Sequence, residues 1–165
     1  MTELSVGQFD ALVARKLAPL SVRKPSQGWG TFSADDALAI ALFGALTRTG
    51  LAQHPASALV RSEYEDLLAY SNSGSSGDIW LGAYRSTAHK AGESSASATF
   101  PIISVFADIE VTVRQTQERA GDADPVEGMT IINATAVVRR MLLRATEAGI
   151  EDRRLTALAK LLRAV

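Results

Sequence analysis

The chain has no cysteine, which excludes disulfides, thiolate zinc sites and cysteine nucleophiles. It has only two histidines, His54 and His89, and neither stands in metal-ligand spacing with another donor, so no metal is expected. Prolines number five, at 19, 25, 55, 101 and 125, too few and too scattered for a proline-rich spacer. The longest apolar stretch, Ala37 to Leu46, is too short and too alanine-rich to span a bilayer. The N-terminus carries Glu3 and Asp10 and has no basic region ahead of an apolar one, so no signal peptide is expected and a cytoplasmic location is. No G-x-S-x-G elbow, P-loop or dinucleotide fingerprint occurs, and the Ser, His and Asp residues have no diagnostic context, so no enzyme and no cofactor are expected.

What remains is 165 residues, 47% hydrophobic and 21% charged, enough for one sizeable core or two small domains that share an interface. The net charge of −1 conceals a pattern. Residues 1–33 hold four basic against two acidic residues, and residues 128–165 hold seven against three. Between them, residues 34–72 hold two against five and residues 73–127 four against eight. Basic ends around an acidic middle suit either a nucleic-acid footprint or an unevenly charged solvated surface.

Helix signals open early. Ser5 and Gln8 have capping-box spacing, Leu4 and Phe9 can form the matching staple, and Phe9, Leu12 and Val13 fall on one face. Pro19 stops that helix near residue 16. Residues 18–30, with Pro19, Pro25, Gly28 and Gly30, read as a turn or short hairpin. Ser33 and Asp36 start a second helix, apolar on most sides through Leu38, Ile40, Leu42, Phe43 and Leu46, and Gly50 ends it. Pro55 fits the first turn of a third, with Val60, Tyr64, Leu67 and Leu68 on one face.

Residues 71–78 are rich in serine and glycine and predict a linker between a first domain, 1–70, and a second, 79–165. A phosphate cradle at Gly74–Asp78 is disfavoured because a strand, not a helix, follows it. Ile79 to Arg85 and Phe100 to Phe106 predict strands, and Met129 to Asn133 a short buried one. Asp108 to Arg119 predicts a helix of weak propensity, and Asp122, Asp124 and Glu127 belong to an acidic loop without the full calcium pattern. Thr135 to Ala148 predicts a helix with Val137, Val138, Met141, Leu142 and Ala145 inward. A basic amphipathic helix closes the chain. Across these last two helices Arg139, Arg140, Arg144, Arg153, Arg154, Lys160 and Arg163 suit a DNA contact, a protein-binding helix pair or a solvated face over a leucine core.

The run from Phe9 to Gly50 carries a family resemblance. A helix ends in a basic, glycine-bearing turn. Phe32-Ser33-Ala34-Asp35-Asp36 opens the next helix, and Thr49-Gly50-Leu51 closes it. This resembles the winged helix-turn-helix DNA-binding domain of MerR-type transcriptional regulators over about 60 residues. The chain departs from that family in having room for one helix before the wing and no long coiled-coil heptad run. The resemblance implies an α+β chain: an N-terminal winged-helix DNA-binding domain, then a small α/β dimerisation or sensing domain with C-terminal helices. It implies double-stranded DNA as partner and a homodimer, and leaves open whether a small-molecule or protein effector exists.

The residues themselves support that expectation. Arg15, Lys16, Arg23 and Lys24 are the only cations in the first 33 positions and can neutralise phosphates. Gln27 and Thr31 can hydrogen-bond to backbone or base edges. Trp29, between Gly28 and Gly30, sits at the expected wing tip and either packs back on the helices or meets a partner. The alternative is a protein-interaction accessory factor, phage-encoded or toxin–antitoxin-like, that uses the same turn and the basic tail.

Overall fold

The computed structural model describes residues 6–19, 33–72, 77–88, 96–106 and 126–150, and the single positions 111, 114 and 118. The described chain is α+β. Its elements run α1 (Val6–Ala14), α2 (Ala34–Arg48), α3 (Gln53–Asn72), β1 (Asp78–Ala88), β2 (Ala96–Phe106), β3 (Val126–Asn133) and α4 (Ala134–Glu147). The proposed start of α1 at Ser5 and the basic final segment, with Arg153, Arg154, Lys160 and Arg163, lie outside the described residues. Among positions 108–119, only Val111, Arg114 and Glu118 are described, and all three are helical.

The expected start of α2 is present in full. Asp36 N–H donates to Ser33 Oγ (3.1 Å), while Ser33 N–H and Oγ donate to the Asp36 carboxylate (3.0 and 2.7 Å). Two orphan donors of the chain at the helix start are thereby satisfied reciprocally. The helix ends where Gly50 takes a φ of 99°. Leu38, Leu42 and Leu46 are almost wholly buried, as a helix apolar on most sides requires.

Three antiparallel-paired strands form one sheet in the order β2-β1-β3. Side chains alternate across β1, so Ile79, Leu81 and Ala83 face the helices. Ile132, opposite Leu81, joins them from β3. Helix α2 packs against both α3 and α4, and all three helices contact the sheet. The face of α4 is as expected: Val138, Met141 and Ala145 are buried, with Val137 and Leu142 half-buried. Strand β3 is longer than the short buried strand expected, and Ile132 is its one buried residue. It runs along a sheet edge, which leaves its other residues half-covered or exposed.

The segment 71–78, expected as a linker, overlaps two elements at its ends, and residues 73–76 lie outside the described residues. Ser71 and Asn72 are the last residues of α3, and Asp78 is the first of β1. One hydrophobic cluster runs across this segment, from Leu12, Leu42 and Val60 to Leu81, Ile132 and Met141. The 1–70 and 79–165 portions therefore share a core. Local composition signals flexibility, but it does not record which apolar faces meet. Val13, expected on the inner face of α1, is 45% exposed, whereas Leu12 is buried and Phe9 half-buried.

Polar contacts tie α4 to β1. Asn133 Oδ1 accepts from Ala136 N–H (2.8 Å) as the cap of α4, and its Nδ2 donates to Asp78 Oδ2 (2.6 Å). Arg139 lies 3.9 Å from the same carboxylate. Ile79 N–H donates to Thr135 Oγ1 (2.9 Å) inside the core, so a buried backbone donor is satisfied by a side chain of the helix packed over it.

Candidate nucleic-acid interface

The described part of the basic N-terminal site is the end of α1. Leu17 N–H donates to the Leu12 carbonyl (2.8 Å) and Lys16 N–H to the Val13 carbonyl (3.0 Å). This pair of bonds is a Schellman closure, and it places Lys16 in the left-handed region with a φ of 57°. Helices α2 and α4 close with the same pair of bonds, but with Gly50 and Gly149 in that position. Among the described residues Lys16 is the only non-glycine with positive φ. A Cβ there costs about 1–2 kcal/mol relative to the right-handed conformation.

The strained backbone has a charged side chain to show for it. Arg15 and Lys16 are both exposed. The described ion pairs lie elsewhere, Arg85 with Glu127 (3.3 Å) and Arg139 with Asp78. Behind the turn, Arg61 of α3 donates from one terminal guanidinium nitrogen to the carbonyls of Ala18 (2.7 Å) and Lys16 (3.2 Å). Arg61 is 45 positions from Lys16 in sequence, and nothing in the linear pattern marks it as a neighbour.

The structure thus brings Arg15, Lys16 and Arg61 to one end of α1. Arg23, Lys24, Gln27, Trp29 and Thr31 lie outside the described residues. Arg139 sits on α4 beside Asp78, and Arg140 and Arg144 share that helix. Ala18 and Pro19 are buried beside the turn, so the chain leaves α1 from an anchored point.

Other chemistry is not assembled among the described residues. No group of three His, Asp or Glu side chains there can hold a metal ion. His54 is exposed on the first turn of α3, and His89 lies outside the described residues. Of the acidic trio, Asp122 and Asp124 lie outside, while Glu127 is taken by Arg85. Nor is any described helix long and apolar enough to cross a membrane.

Replacing Lys16 with glycine separates fold from function. The variant is expected to gain about 1 kcal/mol of stability, because glycine relieves the left-handed strain at a small entropic cost. If Lys16 meets a polyanion, the same variant binds duplex DNA more weakly. Denaturant melts and fluorescence-anisotropy titrations check the two halves of that expectation. No family model, no curated protein and no solved structure matches the chain.

Proposed function

We propose that this protein is a DNA-binding transcriptional regulator of MerR-like winged-helix type that acts by occupying an operator. The observation that carries the reading is the end of α1, where the exposed cations Arg15 and Lys16 stand on an anchored turn whose backbone is strained at Lys16. Strain held at a charged, exposed residue points to use of its side chain. The sequence continues from there into Arg23, Lys24, Gln27, Trp29 and Thr31, which supply further phosphate and base-edge contacts on this reading. The remainder of the chain would dimerise or respond to an effector, in the cytoplasm, with no catalysis and no cofactor.

The test is a binding titration of random and genomic duplex DNA across a salt series. Phosphate contacts release counterions, so affinity falls steeply as salt rises. Each cation removed from a phosphate contact lowers the salt slope by about 0.9. The double variant Arg23→Ala/Lys24→Ala is therefore expected to bind more weakly with a slope shallower by about 1.8. Wild-type affinity and slope in that variant would remove the turn from the interface.

A second reading has its own observation. Leu143 and Ile150 are 60% and 39% exposed, seven positions apart at the end of α4, where the chain enters the basic tail. Exposed apolar side chains beside cations suit a protein partner. Absence of duplex binding even at low salt would favour this reading, a protein-interaction accessory factor.

A further inference from the structure

We infer that Arg61 is a positioning residue of the cationic site, holding the end of α1 so that Arg15 and Lys16 are presented together to a phosphodiester backbone. The inference rests on the DNA-binding reading above and adds a residue from a different helix. A helix end leaves carbonyls without partners, and the Schellman bonds at α1 use those of Leu12 and Val13. The carbonyls of Lys16 and Ala18, beyond the helix, receive Arg61 instead. A lysine ammonium has donors enough for two carbonyls, but its stem ends one bond short of the guanidinium nitrogen that makes both bonds.

The clamp matters because, among the described residues, α1 buries little in the shared core. The helix is nine residues long, too short to persist alone. Among its described side chains Leu12 is the one buried in the shared core, with Ala18 buried just beyond the helix and Leu17 packed partly against the core. Segments with so few buried contacts open locally at small free-energy cost. Hydrogen bonds to a charged donor each contribute enough to shift such an opening about ten- to a hundredfold. Once the open form dominates, affinity falls in proportion to the closed fraction that remains.

Two measurements on full-length wild type, Arg61→Gln and Arg61→Lys test this. The first is tryptic cleavage after Arg15 and Lys16, which follows the population of the open turn when opening is fast. The second is duplex DNA affinity under conditions in which all three proteins are folded by circular dichroism. Both variants are expected to be cleaved about tenfold or more faster at those two bonds and to bind duplex about three- to tenfold more weakly. Unchanged cleavage overturns the clamp. Faster cleavage with unchanged affinity overturns its role in binding. Restoration of both readouts by lysine also overturns it as an arginine-specific clamp, since a shorter cation would then suffice. Faster cleavage in the variants of a wild type that binds no duplex at any salt overturns the DNA reading and the inference, while leaving the clamp as a structural contact.

Discussion

A chain ending at Asn72 is expected to lose cooperative folding, although it would contain the whole of the segment that resembles a DNA-binding domain. Helices α2 and α3 bury Leu38, Leu42, Leu46, Val60 and Leu67 in a cluster completed by Leu81, Ala83, Ile132, Val138 and Met141. Removing everything after residue 72 exposes one side of that cluster to water. Burial of a leucine- or isoleucine-sized side chain is worth about 1.5–3 kcal/mol, and several are lost together. Together that is comparable to the whole stability of about 5–15 kcal/mol typical of a small protein. The expected result is a broad, shallow thermal transition by circular dichroism and weak amide dispersion by NMR. A sharp transition and well-dispersed amides in the truncated chain would show that the first 72 residues fold by themselves, and that the shared core is a docking contact.

The second large effect is expected at Gly82, in the middle of the central strand. A methyl group there would overlap the Thr130 carbonyl oxygen and the Ile131 Cγ2 on the neighbouring strand β3. The side chain of Ile131 can rotate or be shortened, but the carbonyl belongs to the paired backbone, so relief requires β3 to move. Gly82→Ala is therefore expected to cost roughly 3 kcal/mol or more, at the upper end of overpacking penalties. Ile131→Ala is expected not to rescue it, because the backbone clash survives. Urea denaturation of the single and double variants measures both statements. A loss below about 1 kcal/mol for Gly82→Ala would mean that β3 gives way easily at this point.

Local signals carried the helices well. Ser33 and Asp36 have the spacing of a reciprocal cap, and the cap forms at that spacing. Gly50 and Gly149 follow apolar helical runs, and both take the left-handed turn that ends a helix. The inward face of α4 follows from residues spaced at helical period, since burial on a helix is set by that period. Such features depend on residues three to seven apart, which the linear sequence records directly.

The linker at 71–78 shows where that kind of reasoning stops. Serine and glycine there signal a break in local structure, and α3 runs into it as far as Asn72. Whether two halves are independent depends on whether their apolar faces meet, and that is a property of packing over distances the local composition does not encode.

The sequence by itself determined the helices α1 to α4 and the three strands in outline and where α2 and α4 close, and it placed Arg15 and Lys16 at the end of the first helix. Tertiary structure alone decided the sheet order β2-β1-β3, the core shared across residue 72, and the closeness of Arg61 to Lys16. It also decided that a lysine takes the left-handed position which glycine fills at the ends of α2 and α4. The physical reason is range. Capping and periodicity are set by neighbours within a turn or two, whereas strand order, shared burial and a guanidinium reaching across 45 positions exist only once the chain has closed on itself.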